Sequence, residues 1–386
     1  MKKIVYTGLL LVLALALFAG CATTTGGGSS DEIRIGVNYE LSGGVSTYGQ
    51  SSVDGVNLAV KQINEAGGID GKQIKLIQYD NKSEPAEATT LANRLMTQDK
   101  VVAVLGPATS GSFKAEIPVA IKNKIPVASG SATADDVTVD ESGVKEYAFR
   151  ICFNDSYQGT AMADFALNNL SKTKAAVITD TSSDYGKGLA KNFVKTFEEG
   201  GGTIVAEESF MAGDTDFNAI LTSIKGKDFD VIFIPGYYEE AGLIIKQARD
   251  QGIDVPVLGA DGFDSPDLLK LAGADALNDI YFSNHYSSLD EDPLVQQFIK
   301  DFNAEYGRDP DAFNALGYDL AKFVADGISR AEKLDGPSLK DALAATTDFA
   351  GVTGSFSIDE NHNPVKAIVV IGLENGEQAT SVKTGN

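Results

Sequence analysis

The stretch Val101–Ala134, VVAVLGPATSGSFKAEIPVAIKNKIPVASGSATA, reads as strand, small-residue turn, helix, strand and small-residue turn in that order. Val101 to Leu105 is a short β-branched run of the kind buried in a parallel sheet. Gly106-Pro107 stops it, and Thr109-Ser110-Gly111-Ser112 can cap a helix that ends by Lys124. Ile125 to Ala128 is the next strand, and Ser129-Gly130-Ser131-Ala132-Thr133 the next turn. Two hydroxyl-rich turns thus follow the carboxyl ends of neighbouring strands, where open α/β sheets bind ligands. Hydroxyls and uncapped helix amides suit a small anion, above all a carboxylate. The stretch has the make-up of a binding site and carries no catalytic constellation.

Outward from this unit, strands and helices alternate with little between them, which points to a parallel α/β sheet. Ile33–Tyr39 and Ile74–Tyr79 read as strands. Gln50–Glu65 and Glu84–Thr97 read as helices, the latter with Pro85 at its start. Tyr147–Phe153 leads away from this first core. A second set follows, with helices over 156–170, 185–199, 217–224, 239–251 and 266–271. Its strands are expected over 175–179, 203–209, 231–234, 255–258 and 280–284. Helices at 293–306, 312–333 and 338–345, then short strands at 355–358 and 365–372, are expected to pack back on both lobes. The 386 residues exceed one ordinary core, so two lobes are expected.

The N-terminus has the pattern of a targeting segment. Lys2-Lys3 precede the apolar run Ile4–Leu17, and Phe18-Ala19-Gly20-Cys21 matches the end of a bacterial lipobox, with Phe18 where Leu is commoner. Residues 1–20 are therefore expected to be a lipoprotein signal peptide and Cys21 the lipidated residue. Residues 21–31 form a polar tether. The globular body would then be extracytoplasmic and anchored to a membrane. No later apolar run is long enough to span a bilayer.

Cys152 is the only other cysteine, so an internal disulfide in the body is excluded, and a buried thiol is expected. The formal net charge of −22 argues against nucleic acid, whose binding needs clustered Lys and Arg.

Enzyme readings find little support. Glu40-Leu-Ser-Gly-Gly-Val after the first strand contains no dinucleotide fingerprint. Gly106–Ser112 has the outline of a phosphate loop, but no lysine follows until Lys114. His285 and His362 are the only histidines, and neither lies in a metal-ligand motif. No nucleophile elbow is present. His362 reads as a solvated turn residue and His285 as structural or at a cleft rim. No catalytic residue, metal or cofactor is expected.

Leu41-Ser-Gly…Tyr48-Gly49, Ile63-Asn-Glu-Ala-Gly-Gly-Ile69, Gly106-Pro…Ser110 and Ile125-Pro-Val-Ala-Ser129 follow one another along the first half. Asp184-Tyr-Gly-Lys-Gly188, Gly236-Tyr-Tyr-Glu-Glu240 and Gly317-Tyr318-Asp319 continue the series. By the order and spacing of these motifs, the chain resembles the solute-binding proteins of branched-chain amino acid ABC transporters, the leucine/isoleucine/valine-binding group. The resemblance runs from about Glu32 to about Ile371.

The resemblance implies the type I periplasmic-binding-protein fold: two doubly wound, Rossmann-like α/β lobes joined by three crossing strands. Lobe I would hold residues 32–151 and 283–356, and lobe II residues 152–282 and 357–386. It also implies roles. Ser110 would donate to the ligand α-carboxylate beside the backbone amide at Ser131 or Thr133. The Thr133 hydroxyl would contact both ends of the zwitterion, and Asp261 would accept from the α-ammonium. Tyr48, Tyr185, Tyr237 and Phe313 would line the side-chain pocket, which Ala108 and Thr109 could trim. Asp261 is shorter than the Glu of relatives.

The expectation is a monomer that carries an amino acid, branched-chain or otherwise aliphatic, to the permease subunits of an ABC importer. A sensor for a signalling receptor, and a binder of an amide, urea or aromatic acid, remain open alternatives.

Overall fold

The structure, a computed structural model, describes residues 32–384. The expected signal segment 1–20, Cys21 and the tether 21–31 lie outside the described residues.

The first half is one α/β layer structure. β1 (Glu32–Tyr39), α1 (Ser46–Glu65), β2 (Gln73–Asp80), α2 (Pro85–Thr97) and β3 (Ala103–Leu105) open it. α3 (Ser110–Asn123), β4 (Val127–Ser129) and β5 (Ala148–Arg150) complete it. The strands form a parallel five-stranded sheet in the order β2-β1-β3-β4-β5. Tyr147–Phe153 was expected only to lead away from this core, yet its centre is the sheet's fifth strand. β3 and β4 are shorter than their apolar runs, and every residue in them is buried.

The second half contains α4 (Asp155–Asp164), β6 (Lys174–Asp180), α5 (Asp184–Glu199), β7 (Thr203–Phe210) and α6 (Asn218–Lys225). β8 (Val231–Phe233), α7 (Tyr238–Asp250), β9 (Val257–Gly259), α8 (Pro266–Ala272) and β10 (Ile280–Asn284) follow. The helix expected to reach Leu170 is α-helical to Asp164 and then π-helical over Phe165–Asn169. After α9 (Pro293–Tyr306), α10 (Ala312–Arg330) and α11 (Gly336–Ala344), the chain returns through β11 (Ile368–Glu374) and β12 (Glu377–Thr384).

These strands form a seven-stranded sheet in the order β12-β11-β10-β9-β8-β6-β7, parallel except for β11 and β12. β12 was not expected from sequence. It is an exposed edge strand, EQATSVKT, without the apolar alternation that marks a half-buried one. Only the turn Asn375-Gly376, with both residues at positive φ, announces its hairpin.

The chain passes between the two sheets three times: after β5, after β10, and between Ile358 and Ile368. α9 and α10 pack on α1, and α11 on α10; strands, not helices, make the return to the second sheet. At the crossing of α1 with α10 the backbones touch. A Cβ on Gly55 would lie 1.9 Å from the Asn314 carbonyl, and one on Gly317 2.0 Å from that of Ser52. This contact sets the first turns of the two helices side by side.

Cys152 is fully buried, as expected, and burial pushes its thiol up to about 12. His362 departs from expectation. It is buried, stacks on Phe149 at 4.1 Å, and its Nδ1 lies 3.0 Å from the Ala148 carbonyl. Its turn folds back on β5, a long-range contact that local polarity did not reveal. Among the described residues no helix is long and apolar enough to cross a membrane.

Candidate functional site

A small, tightly closed cavity lies between the carboxyl ends of the two sheets. Tyr48, in the first turn of α1, and Phe313, in the first turn of α10, line it from the first-sheet side. With them are Ala108, Thr109 and Ser110 after β3, and Ser131 after β4. The second-sheet side contributes Tyr185 at the start of α5, Tyr237 just before α7, and Asp261-Gly262 after β9. Thus seven of the eight residues expected to bind ligand converge here. A larger groove, bordered by Asp54, Asp264, Arg308 and Gln378, contains none of them.

Four rings form one wall. Tyr48 stacks on Phe313 at 4.3 Å, and Tyr185 on Tyr237 at 4.9 Å with planes 5° apart. Tyr48 and Tyr237 meet edge to face at 5.7 Å and join the pairs. The Tyr48 hydroxyl donates to the Gly262 carbonyl and accepts from the Tyr238 amide at 3.3 Å, so this ring also ties the two halves together. Such rings give a large apolar wall at low entropic cost.

The first-sheet turns present donors. Ser110 Oγ accepts from the Ala134 amide at 3.0 Å, which leaves its hydrogen available to a ligand. Ser131 Oγ already donates to the Ala108 carbonyl at 2.9 Å, so its side chain braces one turn against the other. Ser129 does the same, donating to the Pro107 carbonyl at 2.6 Å and accepting from the Ala132 amide at 3.0 Å. Arg150 is fully buried behind this turn, and its Nη1 donates to the carbonyls of Ala132, Thr133 and Ala134 at 2.8–3.3 Å.

Thr133 does not line the cavity. It is buried directly behind, with its hydroxyl unpartnered among the described residues. Thr109 departs from its expected capping role. It sits at the N-cap of α3, but its hydroxyl donates to Glu40 Oε1 at 2.8 Å instead of bonding the helix.

The second-sheet side presents acceptors. Asp261 is buried, with Oδ1 accepting from the Tyr185 hydroxyl at 2.8 Å and Oδ2 3.3 Å from His285 Nε2. His285 is buried and stacked on Phe153 at 3.6 Å. Burial lowers its pKa to about 4 despite the Asp261 contact, so the pair is a neutral imidazole N–H donating to a carboxylate. His285 therefore belongs to the site, as a holder of Asp261.

Asp155 was missed by the sequence reading. It is fully buried at the start of α4, its amide donates to the Thr133 carbonyl at 2.9 Å, and its Oδ2 has no partner among the described residues. Burial, and then the charge on Asp261, push its carboxyl well above the usual carboxylate range. The only trace in sequence was Asn154-Asp155 before an expected helix, which reads as an ordinary cap. Two neighbouring buried carboxyls form a place where a cation would be stabilised. Among the described residues no cluster of His, Cys, Asp and Glu could hold a metal.

Chemically, the cavity offers hydroxyl and amide donors on one side, the Asp261 carboxylate on the other, and rings between; Asp155 is buried outside the lining. The sequence pattern described as "periplasmic binding protein" matches residues 32–378. The chain is similar to the leucine-, isoleucine-, valine-, threonine-, and alanine-binding protein of Pseudomonas aeruginosa, 30% identical over 353 residues and covering 91% of each chain. It is also similar to the solved substrate-binding protein LivJ of a branched-chain amino acid transporter from Streptococcus pneumoniae, in complex with isoleucine. That match is 44% identical with a TM-score of 0.87, covering 92% of this chain and 100% of the other. The leucine-binding protein LivK of Thermotoga maritima matches at 33% identity and a TM-score of 0.84, covering 91% and 98%.

Proposed function

This chain belongs to the periplasmic binding protein family, and we propose that it captures a branched-chain or other aliphatic amino acid and delivers it to an ABC importer. One observation carries the reading: hydroxyl and amide donors face the buried Asp261 carboxylate across a ring-walled cavity. A zwitterion with an apolar side chain meets all three surfaces. A plain carboxylic acid, aromatic or not, would leave Asp155 and Asp261 uncompensated.

Ser110, with backbone amides of the turn containing Ser131 and Thr133, binds the α-carboxylate. Asp261, held by Tyr185 and His285, accepts from the α-ammonium with Asp155 beside it. Tyr48, Tyr185, Tyr237 and Phe313 enclose the side chain. Each charge-assisted hydrogen bond contributes roughly 1.5–3 kcal/mol.

The lobes are 32–151 with 283–356 and 152–282 with 357–386, and they close on the ligand as domains that shift population when ligand binds both. The protein works outside the cytoplasm, tethered by lipid on Cys21, as a monomer recognised in its closed form by the permease subunits. It turns nothing over.

The test is a thermal-shift screen of residues 31–386, stripped of bound ligand by unfolding and refolding, followed by calorimetry. The panel is the common amino acids, small amides, urea and benzoate. Leucine, isoleucine or valine at about 100 times its dissociation constant should add about 2.7 kcal/mol of stability. Shifts confined to benzoate or urea would sink the amino-acid reading.

A further inference from the structure

We propose that Glu40 is a positioning residue for the ligand's carboxylate end, an internal anion that holds the Ala108–Ser110 turn in its binding shape. The proposal rests on the amino-acid reading above. Glu40 follows β1 directly and is fully buried. Its Oε2 accepts from the Ala108 amide at 2.9 Å. Its Oε1 accepts from the Thr109 amide at 3.1 Å and the Thr109 hydroxyl at 2.8 Å. A carboxylate spanning two consecutive amides ahead of a helix does what a bound anion does at that place. Here the chain supplies the anion itself.

Two consequences follow from the geometry. The amides of Ala108 and Thr109 are occupied, so a ligand carboxylate is directed onward to the Ser110 hydroxyl and the turn after β4. The Glu40 backbone is fixed in turn by α1, where a Cβ on Gly49 would lie 2.0 Å from the Glu40 carbonyl. Gly49 follows Tyr48, so one residue keys both the ring wall and the anion turn to the end of β1. Ala108, Thr109, Ser110 and Tyr48 all line the cavity, and Glu40 itself does not.

The molecule contains its own control. Asp319, fully buried in α10, makes the same motif elsewhere: its carboxylate accepts from the Val352 amide at 2.9 Å, the Thr353 amide at 2.8 Å and the Thr353 hydroxyl at 2.7 Å. Neither Asp319 nor its partners line the cavity. Loss of either carboxylate costs fold stability, but only loss of Glu40 should change how a carboxylate is read.

The experiment is calorimetric titration of the ligand-stripped protein with L-isoleucine and with L-isoleucinamide, which keeps the ammonium and side chain and lacks the carboxylate. Glu40→Gln should weaken isoleucine binding about 20-fold and isoleucinamide binding about 2-fold or less, because only the former uses the turn. Asp319→Asn should lower Tm and leave both affinities within about 2-fold. Thr109→Val, which removes a single donor to Glu40, should weaken isoleucine about 3-fold and carries the test if Glu40→Gln does not fold.

Equal losses for both ligands, or an isoleucine affinity in the Glu40 and Thr109 variants no weaker than in Asp319→Asn, would overturn the positioning role while leaving the amino-acid reading intact. Failure of the wild-type protein to bind any amino acid would overturn that reading and the role of Glu40 with it.

Discussion

The turns after β3 and β4 meet the cavity with hydroxyls and amides that the protein has already organised. Glu40 occupies two amides of the first turn, and Arg150 occupies three carbonyls of the second. Across the cavity, α4, α5 and the turn after β9 bring Asp155, Tyr185 and Asp261 together with less compensation. Asp155 is buried, lacks a partner on Oδ2 among the described residues, and has the charge of Asp261 as the second cause of its raised pKa. The first wall is therefore braced from within the protein, with the Thr133 hydroxyl left unpartnered among the described residues, and the second leaves a buried carboxylate oxygen that a cation would compensate. Shape and donor geometry reside in the first wall, whereas the larger share of ligand-dependent stabilisation resides in the second.

The comparison breaks most visibly at Asp261. Asp261→Ala should weaken aliphatic amino acid binding by roughly 100-fold, the upper range for a charged hydrogen bond, with the fold intact by circular dichroism. Unchanged affinity by calorimetry would mean that the second wall does not hold the ammonium.

Asp155→Asn sharpens the contrast because its two effects have opposite signs. Ligand affinity should fall about 10-fold while the unliganded protein becomes more stable, since a buried carboxylate with one oxygen unpartnered and the other held only by a 3.5 Å bond from Gln158 is removed. The pH dependence follows from the same group. Its folded pKa is raised by burial and by Asp261, so the folded state holds the proton more tightly than the unfolded chain. The stability contributed by this group is greatest at low pH and is lost as pH rises from the unfolded value near 4 through the raised folded value. Melting of the unliganded wild type should show this decline, and the Asn variant should flatten it.

Ser110→Ala tests the first wall. It should cost about 10-fold in affinity and little stability, because Ser110 Oγ otherwise only accepts from the Ala134 amide. A loss equal to that of Asp261→Ala would erase the asymmetry between the walls.

The smallest effect is expected at the mouth. Lys114 on α3 bonds Asp136 on its own side at 2.7 Å and Asp184 at the start of α5 across the cleft, also at 2.7 Å. The ammonium is partly exposed, so Lys114→Met should speed ligand release only about 2-fold, with less difference in high salt. Stopped-flow release measured through tyrosine emission would detect it.

Much of the site was legible in sequence because its residues sit at the ends of regular elements. Ser110, Ser131, Tyr185 and Asp261 each follow an apolar strand run, and the carboxyl ends of parallel strands are a known place for ligands. Asp155, Glu40, His285 and Arg150 were not legible as site residues. Each acts through burial and a partner distant in sequence: Glu40 with Thr109, Asp155 with Asp261, His285 with Asp261, Arg150 with Asn363 at 2.6 Å. In sequence an Asp before a helix is a cap and a lone His is ambiguous. Thr109 shows the converse, a residue with good capping chemistry that a buried carboxylate outbid.

By itself the sequence determined the alternation of strands and helices, the two hydroxyl-rich turns, the family and most of the cavity lining. These depend on apolar periodicity, turn residues and short motifs, all local properties of the chain. Tertiary structure alone decided which carboxylate oxygens are buried without a partner, which amides the protein keeps for itself, and that polar β12 closes the second sheet's edge. The physical reason is that desolvation and hydrogen-bond satisfaction depend on what surrounds a group in space, and that surrounding comes from segments far apart in the chain.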